Sequence, residues 1–366
     1  MNNITVIGVG KLGLGLALLI EKGGYNVLGV DIFPNYVENL NSKVYKTKEP
    51  GYEELLQNSK NFTATTNIED GLTFSDIIFI VVQTPNSGGD KFYDHSILSN
   101  VLSKINSFHV KNKHIIIGCT VMPKYIDTVG KLLLSHCENT TLSYNPEFVA
   151  QGDIVKGFLN PDIILIGTES TDVSEKLRQV YDSFILSHPR YCILTPLESE
   201  IVKISLNGFI TTKISFANMI SDVCDKVGAN KTKVLQSIGS DSRIGNKYFG
   251  PGYSFGGPCF PRDTRALKQF VDQNNINSDL LEATTKYNNE HIVFQANQLL
   301  SQNKDEYIFE NVCYKENSEI PLVEESAKLK IAKYLADHNK KVTINDNKEI
   351  IEEVKKEYGN IFNYLE

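Results

Sequence analysis

Asn2-Asn-Ile-Thr-Val-Ile-Gly8-Val-Gly10-Lys11-Leu12-Gly13 opens the chain, and its reading decides the fold. Residues 2–9 are a short apolar run that predicts a buried strand. The glycines of Gly8-x-Gly10-x-x-Gly13 then break it, and an apolar helix is expected from Leu14 to about Lys22. A second strand, Tyr25 to Val30, ends at Asp31. A glycine-rich turn alone is common. Strand, glycine turn, helix, strand and terminal acid in that order are the dinucleotide-binding pattern of a Rossmann-type α/β domain. The glycines let a pyrophosphate lie against the N–H groups of a helix N-terminus, so Gly8, Gly10, Lys11, Leu12 and Gly13 are assigned to a cofactor. Asp31 would accept from ribose hydroxyls and repel a 2′-phosphate, which selects NAD over NADP.

Further βα units follow. Ser75–Val82 is apolar throughout, as a parallel strand covered on both faces should be, and runs into Gln83-Thr84-Pro85. His114–Cys119 runs into Thr120-Val121 in the same way. Both ends should open at the carboxyl edge of the sheet, where ligands of such folds bind. Thr84 and Thr120 are placed beside the cofactor; for Thr84, capping of the following helix fits equally well. Asn86–Lys91 reads as an exposed polar loop.

The 366 residues are 41% hydrophobic and 22% charged, with net charge −7 and no basic run, which disfavours nucleic acid as a partner. No apolar run approaches a membrane span. The six cysteines, at 119, 137, 192, 224, 259 and 313, are dispersed and form no CxxC. With no cationic, apolar leader, a cytoplasmic location is expected. No histidine or cysteine spacing matches a metal site, so none is expected.

A helix of roughly 45 Å is expected from Leu197 to about Gly228, with apolar residues recurring three or four apart. Lys203 and Asn207 share one of its faces. A shorter helix, Lys231 to Ile238, leads to Arg243-Ile-Gly245 and to the glycine- and proline-rich run that ends Gly256-Gly-Pro-Cys259-Phe-Pro-Arg262-Asp263. A lone loop cysteine is usually a small hydrophobe. Here the neighbouring Arg262 and Arg243 favour the reactive thiolate instead. Helices are expected at 264–273 and 279–302, a strand at 308–314, a helix at 325–338 and a strand at 341–345.

These segments together resemble the nucleotide-sugar dehydrogenases. The resemblance rests on Arg243-Ile-Gly245, on Gly256 to Asp263, on Asn145-Pro-Glu147-Phe148, and on Lys203 and Asn207 followed by Phe209 and Lys213-Ile-Ser215. It implies NAD-dependent oxidation of a UDP-sugar 6-hydroxyl to a carboxylate, with UDP-glucose favoured and UDP-N-acetylhexosamine or GDP-mannose as alternatives. Cys259 would form a thiohemiacetal and then a thioester. Lys203 and Asn207 would hold the oxyanion, and Thr120 and Asp263 would position a water for Glu147 as base. Phe148, Arg243, Tyr248, Phe255, Gly256 and Lys315 would join Glu147, Lys203 and Asn207 in binding the nucleotide sugar.

The implied architecture is an NAD-binding Rossmann-type domain (1–196), a central helical dimerisation and catalytic segment (197–303), and a smaller, shortened Rossmann-like domain (304–366) for the nucleotide. The active site is expected in the cleft between the two α/β domains, and a homodimer through the long helix. Two departures stand out. Gln151 replaces a glutamate common in relatives, and Glu324 replaces an arginine that faces the cofactor. A non-catalytic nucleotide-sugar binding protein is the rival reading.

Overall fold

The computed structural model describes residues 2–85, 93–315 and 320–366, so Asn86–Lys91 lies outside the described residues. By its internal contacts the chain divides into two compact units, 1–203 and 204–366.

The first unit carries strands β1 (Asn3–Ile7), β2 (Asn26–Val30), β3 (Phe62–Thr65), β4 (Ile77–Ile80), β5 (His114–Ile117), β6 (Thr141–Tyr144), β7 (Ile163–Gly167) and β8 (Arg190–Leu194). They form one sheet in the order β3-β2-β1-β4-β5-β6-β7-β8. The first six are parallel, in the order of a doubly wound dinucleotide fold. β6 meets β7 antiparallel and β8 follows β7, so the last two strands run in reverse.

Successive strand residues point to opposite faces. Ile4, Val6, Phe79 and Ile116 pack with Leu14, Ala17 and Leu18 of the helix Lys11–Lys22. Ile7, Ile78, Ile80, Ile115 and Ile117 pack with Leu98, Leu102 and Ile105 of the helix Ser96–Ser107. Both faces are therefore covered, which is why these strands read as unbroken apolar runs. Ile7, Val30, Ile80 and Ile117 stand in register. The chain consequently leaves all four strands at one edge, where Gly8 and Asp31 follow β1 and β2 directly and the runs to Thr84 and Thr120 begin.

The helix Pro196–Val227, 32 residues long, follows the expected span. Its start is written in Thr195-Pro-Leu-Glu198. The Thr195 N–H donates to Glu198 Oε2 at 2.8 Å and the Glu198 N–H to Thr195 Oγ1 at 3.3 Å, a reciprocal capping box. Pro196 fits a first turn, where no N–H is needed. Gly228, at φ +74°, ends it. Among the described residues no helix is long and apolar enough to cross a membrane.

In the second unit β9 (Glu306–Glu310), β10 (Lys341–Asn345) and β11 (Asn363–Leu365) form a smaller parallel sheet in the order β11-β10-β9. Leu329, Ile331 and Leu335 of the helix Ala327–Asp337 share a core with Val342, Ile344, Ile350 and Val354. The strand expected at 308–314 ends at Glu310 instead. Asn311 turns to φ +51°, and the Val312 N–H donates to the Asp346 carboxylate at 2.9 Å rather than to a ladder carbonyl. Val312 and Cys313 are buried beside a turn, and their apolarity mimics a longer strand. The helix after Cys259 begins at Phe260, four residues earlier than expected, with Pro261 in its first turn.

Candidate functional site

The Gly8 turn is built for close approach. Gly8 has φ +87°, and a Cβ there would lie 2.6 Å from the Val81 carbonyl oxygen. A Cβ on Gly13 would lie 2.0 Å from the Gly8 carbonyl oxygen. Gly10 caps the helix Lys11–Lys22 without a side-chain hydrogen bond, and nothing lies within 4 Å of where its Cβ would be. The turn is braced from behind: Tyr36 donates to the Val9 carbonyl at 2.7 Å, and Tyr52 to that of Lys11. Lys11 is exposed and Leu12 half-buried, so the N–H groups of the first turn face an open cradle. Asp31, half-buried at the end of β2, accepts from the Phe33 N–H at 3.4 Å, and loss of solvation raises its carboxyl above the usual range. Open space at Gly10, an uncapped helix end and this acid fit a dinucleotide. Among the described residues, the first helix after Thr84 begins at Ser96 with His95 as its N-cap. Thr84 and Thr120 are both half-buried.

Gly10 and Gly13 separate two functions of the cradle. Gly10→Ala is expected to lower stability by under about 1 kcal/mol, the size of an N-cap preference, while the methyl intrudes on the bound pyrophosphate. Gly13→Ala must push helix from strand and should cost about 1–3 kcal/mol as well as binding. Thermal melts beside NAD+ titration would separate the two; equal melting losses would refute the assignment.

A second group of side chains surrounds Glu147, still within the first unit. An oxygen of its half-buried carboxyl lies 2.5 Å from the Tyr181 hydroxyl, within hydrogen-bond distance. Loss of solvation pushes it up to about 7, although that hydrogen bond and the Lys203 charge pull it down. Tyr181, 2% exposed, also lies 2.7 Å from Asn145 Oδ1. Lys203, 8% exposed, donates to the Glu147 main-chain carbonyl at 2.7 Å and sits 4.6 Å above the Phe148 ring. One of its three protons is thus committed and the ammonium is fixed. Past Gln151, the Gly152 N–H is held by the buried Glu49 carboxylate at 2.6 Å.

In the second unit Cys259 is exposed and forms the N-cap of the helix Phe260–Gln273. A thiolate there meets the positive end of the helix dipole. Asp263, buried in the first turn, accepts from Asn207 Nδ2 at 2.5 Å. The glycines before the cysteine are hemmed in by the chain itself. A Cβ on Gly256 would strike the Glu325 carbonyl oxygen at 2.2 Å, and one on Gly257 the Tyr314 ring at 2.6 Å. Their freedom serves packing of the chain on itself. Phe255 is clamped by Asn288, which accepts from its N–H at 2.8 Å and donates to its carbonyl at 3.1 Å. Tyr248 is exposed at φ +58°, edge-on to Phe260, and a non-glycine residue held there marks a constrained loop. Arg243 is exposed and forked onto Asp241. Lys315 is half-buried after β9. Glu324 accepts from Arg262 at 2.8 and 3.1 Å, so its charge is compensated by the arginine beside Asp263.

Tyr181, Asn145 and Asn288 carry no sequence-based assignment. Asn145 lies in the Asn-Pro-Glu-Phe motif and Asn288 in Tyr287-Asn-Asn289, but Tyr181 reads as one more apolar position of the helix Thr171–Asp182.

A cradle of this form fits a dinucleotide. Residues 2–185 match the UDP-glucose/GDP-mannose dehydrogenase family, NAD binding domain, and residues 197–290 match the central domain of the same family. The chain belongs to the UDP-glucose/GDP-mannose dehydrogenase family, and its cofactor is NAD. The UDP-glucose 6-dehydrogenase of Bacillus subtilis (strain 168) is 33% identical over 297 residues, covering 78% of this chain and 66% of that protein. The UDP-glucose 6-dehydrogenase of Rickettsia felis is 32% identical over 291 residues, covering 78% and 64%. The chain thus spans just under two thirds of the length of these curated relatives. A UDP-glucose dehydrogenase structure from the hyperthermophilic archaeon Pyrobaculum islandicum matches with a TM-score of 0.89 at 26% identity, covering 100% of this chain and 86% of that one.

Proposed function

We propose that the chain oxidises the 6-hydroxyl of a UDP-sugar, UDP-glucose first, to the carboxylate through a thioester on Cys259. The observation that carries this reading is the exposed thiol capping a helix whose first turn holds Asp263 bound to Asn207. The names of the two curated relatives support the sugar.

Bound NAD+ accepts the electrons of each oxidation. The chain's own groups do the rest. Cys259 thiolate adds to the C6 aldehyde and forms the C–S bond of a thiohemiacetal. Lys203, with two ammonium protons left, and Asn207, with its second amide proton, donate to the oxyanion. After the second oxidation Thr120 and Asp263 hold a water and Glu147 takes its proton. Hydroxide adds to the thioester carbonyl and the Cys259 thiolate leaves. In balance, alcohol, two NAD+ and water give carboxylate, two NADH and three protons. Phe148, Arg243, Tyr248, Phe255 and Lys315 contact the nucleotide sugar, with Gly256 contributing main chain. In this reading residues 1–196, 197–303 and 304–366 are the NAD-binding, central and nucleotide-sugar segments. Phe209, Phe216 and Val223, seven apart and exposed on the long helix, form a homodimer seam.

Two NADH should form per nucleotide sugar consumed, with no trappable aldehyde. NADH absorbance across UDP-glucose, UDP-N-acetylhexosamines and GDP-mannose identifies the sugar. One NADH with aldehyde captured by a hydrazine would sink the four-electron reaction, and no NADH with any sugar would leave the binding-protein reading.

A further inference from the structure

The protons around Glu147 do not add up if it is ionised at rest. Asn145, 1% exposed, has its amide orientation fixed, because Nδ2 lies 2.9 Å from the Leu165 carbonyl oxygen, which can only accept. Asn145 Oδ1 therefore faces the Tyr181 hydroxyl, 2.7 Å away, and also only accepts. On the other side of that hydroxyl, at 2.5 Å, is Glu147 Oε1. One phenolic proton stands between two acceptors. With Glu147 ionised one of them must go without, in a place where an unmade hydrogen bond is costly. With Glu147 protonated every group is satisfied: the acid donates to the phenol oxygen, the phenol to Asn145, and Asn145 to Leu165.

We propose that Tyr181 is the positioning residue that sets the proton on Glu147. The resting acid is neutral and donates to the phenol, and on ionisation the phenol O–H swings from Asn145 to the carboxylate. The charged and titratable groups around the pair fit this arrangement. Lys203 is spent partly on the Glu147 main-chain carbonyl. Tyr191, on β8, donates to Asp182 at 2.6 Å with Arg178 4.9 Å above its ring. None of these supplies a second proton to the Tyr181 oxygen. The raised carboxyl of Glu147 agrees. The swing gives the base a means of change: the proton that it takes from water is caught by a phenol oxygen already in place.

The inference rests on Glu147 as the hydrolytic base, and two variants should move its titration in opposite directions. Tyr181→Phe removes both the acceptor of the neutral acid's proton and the donor to the carboxylate, and because the charge-assisted bond to the carboxylate is the stronger of the two, the acid holds its proton more tightly. The acidic limb of thioester hydrolysis then moves up by about one pH unit, roughly tenfold in rate on that limb. Asn145→Leu removes the competing acceptor, leaves the phenol to the carboxylate alone, and moves the limb down. A merely structural role changes rate or melting temperature but leaves the limb in place, which would overturn the proposal, as would shifts of the same sign. Should Asn145→Leu fail to fold, infrared spectra of the ligand-free protein decide without turnover. A protonated-carboxyl band that Glu147→Gln removes should be present in mildly acidic buffer and vanish at alkaline pH, beside that of Glu200, whose buried carboxyl is also pushed up to about 7. Absence of that band from the unmodified protein would overturn the proposal. A protein that shows the band but makes no NADH would instead refute the reaction and leave the proton assignment standing.

Discussion

Cys259→Ser is expected to end steady turnover, lowering kcat by on the order of a thousandfold or more, while the protein keeps its fold. The serine hydroxyl is far less acidic than a thiol, and the dipole of one helix cannot make up the difference. Any ester that did form would carry a poorer leaving group. Stability should not suffer, because Cys259 is an exposed N-cap and serine is a preferred residue there. Loss of activity with an unchanged or slightly raised melting temperature is therefore the predicted pair of results. Cys119, Cys224 and Cys313 are buried, and burial pushes the Cys119 thiol up to about 12, where thiolate is negligible at neutral pH. The first oxidation needs no thiol, so a single turnover to aldehyde should survive and be trappable. A serine variant that keeps more than about a tenth of the rate would show that the reaction does not pass through this sulfur.

What could be read before the structure was what local chemistry dictates. The Gly8–Gly13 turn and the apolar periodicity of the long helix each state their geometry within a few residues. The continuous apolar strands told that the sheet is covered on both faces. What could not be read depends on partners distant in the chain. That Gly256 has no room for a side chain is seen only once the Glu325 carbonyl is found against it. Glu324 looks like a charge set against the cofactor until Arg262 is found forked onto it. Tyr181 is indistinguishable from a core aromatic along the helix, and only the fold brings its hydroxyl to a carboxyl 34 positions earlier. The end of β9 was misplaced for a related reason, since burial of Val312 and Cys313 is visible in sequence but the Asp346 side chain that takes the Val312 N–H is not.

Glu147→Gln should stop the cycle at a later point than Cys259→Ser. Glutamine keeps the shape and can still accept from Tyr181, but it cannot take a proton from water. Both oxidations should proceed, and hydrolysis should slow by about 10²–10⁴-fold, the range of a lost general base. Mixing with NAD+ and sugar nucleotide should then give a burst near two NADH per active site and little more. By intact mass the stalled protein should carry a sugar-nucleotide acyl group, removable by hydroxylamine and mapping to Cys259 among the six cysteines. The pH dependence has a definite sign. Glu147 titrates near 7, above the ordinary carboxylate range, and only its ionised form is a base. Hydrolysis in the unmodified protein should therefore fall as pH drops through about 7, until acyl-protein accumulates there too. The burst, which does not need Glu147, should lack this limb in both proteins. Normal turnover by Glu147→Gln, or an acyl group on another cysteine, would remove the division of labour between the two residues.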